Sequence, residues 1–109
     1  ITVSIHQNSF PSKNVHGAQV FYYKDSEEGK KLAEYVQESL IETLDNSNTR
    51  TAKANSDYYM LRTNSTPSII VECGFLSNPS EEASLNSPDY QQKTAWAIYK
   101  GIIDYFHAE

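Results

Sequence analysis

The feature that most narrows the fold is the run Ser68-Ile69-Ile70-Val71-Glu72-Cys73, in which three branched apolar residues are followed by one carboxylate. Strands covered on both faces read as continuous Val- and Ile-rich runs, whereas half-exposed strands alternate apolar with polar residues. The run therefore predicts a strand in the interior of a sheet. Glu72 falls near its carboxyl end, where burying an ionised carboxyl group is costly unless it is paired, hydrogen-bonded or associated with a metal.

Around this strand the chain of 109 residues alternates strands with helices. A first strand is expected over about residues 1–6, followed by a polar loop with Pro11 and Gly17 and a second strand over Ala18-Gln19-Val20-Phe21-Tyr22-Tyr23. Asp25, with Glu28 three residues on, has the spacing of a capping box. Behind it Leu32, Val36 and Leu40, widened by Ala33, Ile41 and Leu44, make the apolar stripe of a helix ending near Asp45. A short strand is expected around Tyr58-Tyr59-Met60-Leu61, before the Thr66-Pro67 break. Asn78-Pro79-Ser80-Glu81 is a second capping pattern with Pro in the first turn. A last helix starts near Pro88, with Ala95, Ile98, Tyr99, Ile102 and Phe106 on its inner face, extended by Trp96 and Ile103.

These elements predict a single domain over residues 1–109, an α/β three-layer sandwich with a largely parallel sheet flanked by helices. Ile1-Thr2-Val3-Ser4-Ile5 reads as a strand already under way, which suggests a piece upstream. Nine Lys and Arg against fourteen Asp and Glu give a net charge of −5. That balance argues against duplex nucleic acid as a partner, because phosphate neutralisation by cations supplies most of such affinity. No window approaches the roughly twenty apolar residues of a transmembrane helix. Cys73 is the only cysteine, so no internal disulfide can form.

Two side chains carry the chemical interest. Glu72 and His6 both fall at the carboxyl ends of expected strands, where ligands gather in open α/β sheets, so the two can face one crevice. Imidazole with carboxylate suits either zinc or a general acid/base pair. His16, in a loop, and His107, near the terminus, are expected to be solvated. Cys73 adjoins Glu72, and neighbours on a strand point to opposite faces. A thiol hydrolase built on Cys73 and His6 is therefore geometrically awkward, and Cys73 reads as a small buried hydrophobe.

Ser4-Ile5-His6-Gln7-Asn8 resembles the S-x-H-x-N element of the zinc-dependent N-acetylmuramoyl-L-alanine amidases. Pro67 to Asn78, ending Glu72-Cys73-Gly74-Phe75-Leu76-Ser77-Asn78, resembles that family's P-x-x-x-x-E-x-G-F-x-S-N element. The spacing between the two, the intervening Gly17 to Tyr23 and the final Ala97-Ile98-Tyr99-Lys100-Gly101-Ile102 also match, with wording nearest to the spore-cortex (sporulation) members. The resemblance implies a zinc-exopeptidase-like fold with Zn2+ as cofactor, His6 as a zinc ligand and Glu72 as the catalytic carboxylate. Asn8 would help to orient substrate or the His6 loop, whereas Gly74 and Asn78 look structural. The implied substrate is peptidoglycan, cut between N-acetylmuramic acid and the first L-alanine, which places the activity outside the cytoplasm, in the cell wall or the forespore intermembrane space.

The family takes two further zinc ligands, a His in a G-H-G motif and a Glu, from a part preceding the His6 strand, and neither motif occurs in this sequence. The expectation is therefore a later part of an amidase catalytic domain that alone binds zinc weakly and is inactive. Whether an accessory protein takes part is left open by the sequence. Two other readings stand beside it: a non-catalytic domain of the same fold that binds peptidoglycan or a partner, and a zinc peptidase of related fold acting on ordinary peptides.

Overall fold

The expected interior strand is present and longer than its apolar run: Ser68–Phe75 forms a strand, all eight residues of which are buried. In chain order, this computed structural model, which describes residues 1–57, 61 and 65–108, contains β1 (Thr2–Asn8), β2 (Gln19–Tyr23), α1 (Glu27–Leu44), β3 (Lys53–Asn55), β4 (Ser68–Phe75), α2 (Pro79–Leu85) and α3 (Pro88–His107). The strand expected over Tyr58-Tyr59-Met60-Leu61 lies outside the described residues except for Leu61, which is buried. β3 carries no apolar pattern and was not expected from the sequence.

The sheet has the order β1-β4-β2-β3. β4 runs parallel to β1 and antiparallel to β2, and β2 runs parallel to β3, so the sheet is mixed but mostly parallel. Residues paired in register share a face. Val3, Ile69 and Tyr22 lie abreast on one face, as do Ile5, Val71 and Val20. Onto this face α1 brings Leu32, Ala33, Val36 and Leu40, and α2 and α3 add Leu85, Ala97 and Ile98 to the same cluster. Fully burying one such aliphatic side chain stabilises the fold by about 1.5–3 kcal/mol.

Among the described residues β3 pairs only with Phe21 to Tyr23 of β2, and no strand flanks the start of β2 on that side. Gln37 of α1, 3% exposed, fills the gap: its carboxamide oxygen accepts from Val20 N (2.7 Å) and its Nε2 donates to Ala18 O (3.1 Å). One side chain thus replaces the ladder bonds of a missing neighbour, which buried amides require.

Two sequence expectations are corrected. The cap of α1 is Ser26, not Asp25: Ser26 has extended dihedrals and its hydroxyl accepts from Gly29 N, one residue further along than the acidic pattern suggests. The inner face of α3 is Thr94, Ala97, Ile98 and Gly101, while Trp96, Tyr99 and Phe106 are more than half exposed. The cause is close helix packing. A Cβ on Gly101 would lie 2.6 Å from Val36 Cα and 3.1 Å from Tyr35 O, and the Ser39 hydroxyl donates to Ala97 O at 2.6 Å. Only small residues fit where the two helix backbones come closest, beside Val36 and Ser39.

Replacing Gly101 with Ala would favour an isolated helix by about 1 kcal/mol, but it drives a methyl group into the α1 backbone. Overpacking of this kind costs about 1–3 kcal/mol. Gly101→Ala is expected to lower the urea midpoint; an unchanged or raised midpoint would show that the helices separate at little cost.

Candidate active site at the carboxyl end of the sheet

His6, Glu72 and Gln19 stand abreast on the sheet face opposite the helices, His6 paired in register with Glu72 across β1 and β4, and Gln19 with Glu72 across β2 and β4. The fold therefore brings together the two residues that the sequence singled out. His6 is exposed and Glu72 is only 7% exposed. Ser4, two residues before His6 and on the same face, places its hydroxyl 2.7 Å from His6 Nε2. That contact ties the imidazole to its own strand.

Glu72 is held without being satisfied. Its Oε2 is buried and has no hydrogen-bond partner among the described residues. Burial pushes its carboxyl group above the ordinary glutamate value of 4.5, and the nearby His6 acts in the opposite direction. A carboxylate kept at this cost in a central strand is the profile of a functional group.

Just past this row the ladder is irregular. The register runs His6↔Glu72 and then Asn8↔Phe75, so β4 has one residue more than β1 between the two pairs. This bulge turns Phe75 onto the face of Glu72, where strict alternation would have sent it to the helix side. Arg50 lies over the Phe75 ring, its Cζ 5.2 Å from the centroid. Its guanidinium also donates to His16 O (2.8 Å) and to Gln19 Oε1 (2.9 Å). The loop before β2 is thereby tied to the end of β4.

The other candidates fall away from this row. His16 and His107 are exposed. Cys73 is 6% exposed and belongs to the core, and burial pushes its thiol up to about 11, so it is not a thiolate nucleophile near neutrality. A groove of about 530 Å3 includes His6 together with Ile5, Gln7, Leu76, Ala95 and Ile98. A second, of about 390 Å3, includes Asp45, Glu81 and Tyr90 but neither His6 nor Glu72.

The unpartnered Glu72 oxygen beside an imidazole suits a carboxylate that acts next to a metal. The donor set, however, is incomplete: among the described residues no three His, Cys, Asp or Glu side chains gather as a metal site would require. Catalytic zinc sites use three protein ligands, and no such set is present among the described residues.

The sheet thus carries an imidazole and a buried carboxylate abreast where β1 and β4 end, in an α/β domain. Residues 1–104 match the family described as N-acetylmuramoyl-L-alanine amidase (Amidase_3), and the chain belongs to that family. It is 46% identical over 104 residues to the germination-specific N-acetylmuramoyl-L-alanine amidase of Bacillus subtilis, covering 95% of this chain and 44% of that protein. Its fold superposes with a TM-score of 0.96 on the CwlD amidase of Clostridioides difficile, whose structure was determined in complex with the GerS lipoprotein. That pair is 45% identical and the match covers 98% of this chain and 54% of the other. The chain also superposes on the amidase AmiC2 of Nostoc punctiforme with a TM-score of 0.86 at 34% identity, over 97% of this chain and 57% of that one. The chain thus spans about half the length of the relatives it matches.

Gln19, Arg50 and Glu81 were not singled out as site residues by the sequence. Gln19 has a polar-in-strand signal that reads as ordinary alternation, and Arg50 stands in a loop without a pattern.

Because the folded chain holds the Glu72 proton to higher pH than the unfolded chain does, stability is lost as pH rises from 4.5 through the elevated folded value. Glu72→Gln removes the buried charge. In metal-free protein it is expected to raise the thermal midpoint at neutral pH, with the gain shrinking to nothing below pH 4.5. A midpoint lowered at neutral pH would mean that the carboxylate has a stabilising partner.

Proposed function

We propose that this chain provides part of the active site of a zinc-dependent N-acetylmuramoyl-L-alanine amidase, which hydrolyses the amide between N-acetylmuramic acid and L-alanine in peptidoglycan. The observation that carries the reading is the buried Glu72 carboxylate, one oxygen unpartnered, abreast of His6. A domain that only bound peptidoglycan would have no use for a carboxylate held at this cost.

In this reading His6 would be a zinc ligand, with Ser4 orienting the ring, and the further donors would come from outside the described residues. Zinc, when bound, would supply a Lewis acid and lower the pKa of its water. Glu72 takes the proton of the attacking water. It then delivers that proton to the departing L-alanine nitrogen, so one carboxylate cycles between two states. A buried carboxyl whose affinity for protons is raised is suited to both halves of that cycle.

The substrate places the activity outside the cytoplasm, at the cell wall or the spore cortex. The similarity to a germination-specific amidase supports the cortex as its setting. No helix among the described residues is long and apolar enough to cross a membrane.

In the full-length protein, Glu72→Gln is expected to reduce muropeptide hydrolysis by at least about a thousandfold, the upper range for losing a general base and its electrostatic contribution, with zinc content unchanged. His6→Ala is expected to lose both turnover and metal. Zinc titration of the 109-residue chain alone is expected to show weak binding. Tight one-to-one binding by this chain, or a Glu72→Gln variant that stays active, would sink the assignment.

A further inference from the structure

Glu81 is placed by the sequence in a capping pattern, third residue after Asn78. The usual task of an acid at that position is to reach back to the backbone N–H of the cap. It does something else. Asn78 N is occupied by Phe75 O (3.1 Å), and the Asn78 side chain itself accepts from Ser80 N and Glu81 N. Both carboxylate oxygens of Glu81 are thereby left for tertiary contacts: Oε1 accepts from Phe75 N at 2.9 Å and Oε2 from Gly17 N at 2.8 Å.

Both amides lie just past Glu72, at the carboxyl end of β4. Phe75 follows the bulge, three residues after Glu72, and Gly17 stands two residues before Gln19, the register partner of Glu72, so the antiparallel run of β2 brings Gly17 to the same end of β4. Two surrounding glycines are shaped for the contact. Gly17 has φ +100°, a conformation that other residues rarely adopt, and this presents its N–H to the carboxylate. A Cβ on Gly74 would sit 3.3 Å from Glu81 Oε1 and 3.4 Å from Leu85 Cδ1, so a side chain there would press on the clamp. Charged acceptors make stronger hydrogen bonds to N–H donors than neutral ones, and two such bonds from one rigid carboxylate fix direction as well as distance.

We propose that Glu81 is a positioning residue for Glu72: it locks the ends of β4 and of the loop before β2 together, and so sets where the Glu72 carboxylate points. The inference rests on the reading of Glu72 as the proton-transferring group. Misplacing such a group by about 1 Å can cost about a hundredfold in rate.

Two measurements test it. The first needs no activity: amide NMR and hydrogen exchange on the 109-residue chain, wild type against Glu81→Gln, whose carboxamide keeps one acceptor and loses the other. The expected result is faster exchange at Gly17 or Phe75 together with displaced signals for Glu72, Gln19 and His6. Changes confined to α2 and the Gly17 loop, with Glu72 unmoved, overturn the proposal. The second is kinetic, in full-length zinc-loaded protein on muropeptide, with Ser39→Ala as a control that breaks the α1–α3 bond away from the site. Glu81→Gln is expected to lower kcat between about ten- and a hundredfold with KM nearly unchanged, while Ser39→Ala lowers the melting midpoint and leaves kcat alone. A kcat loss no greater than that of the control also overturns it. If wild-type protein shows no hydrolysis, the amidase reading fails instead, and the NMR comparison by itself decides whether Glu81 sets the position of Glu72.

Discussion

β4 is hydrogen-bonded on both edges and buried on both faces, and it carries an ionisable group in its second half. Such a strand tolerates little movement: a slip of one residue against β1 or β2 would turn Glu72 into the helix-facing core and Val71 out of it. The apolar side chains of β4 and the carboxylate are therefore fixed by the same register. The core contacts of Ile69 and Val71 with α1 are what hold Glu72 beside His6. Stability of the fold and placement of the chemistry share one cause.

The bulge at the end of β4 is where that regularity is given up. One extra residue moves Phe75 to the face of Glu72, under Arg50, and frees its N–H for Glu81. The E-x-G-F sequence then has a physical reading at each position. Glu72 is the buried acid, Cys73 fills the core on the opposite side, Gly74 leaves room for the Glu81 carboxylate, and Phe75 gives the Arg50 guanidinium a ring to rest on. The polar network around the site is built from α2 and two loops, not from the strands alone.

Much of this was legible beforehand. The hydrophobic run of β4, the stripe of α1 and the proline-started helices follow from periodicity and capping, which act over a few residues. Where the sequence misled, contacts between distant segments had intervened. Aromatic residues at helical spacing suggested an inner face for α3 that contains Tyr99 and Phe106, yet close approach to Val36 selected Ala97 and Gly101 instead. Glu81 looked like a local cap because its spacing from Asn78 fits one; its actual partners are six and sixty-four residues away.

The sequence by itself determined the order and kind of most elements, the interior position of the Glu72 strand and the pairing of His6 with Glu72 as the residues of chemical interest. Those follow from short-range pattern and from the high energy of a lone buried carboxylate. Only the tertiary structure decided that the two residues lie in register on one face, that Gln37 substitutes for a strand beside β2, and that Glu81 and Arg50 tie the loop before β2 to the end of β4. Each of these depends on backbone groups left unpaired when particular strands meet, and no local pattern records which amides those will be.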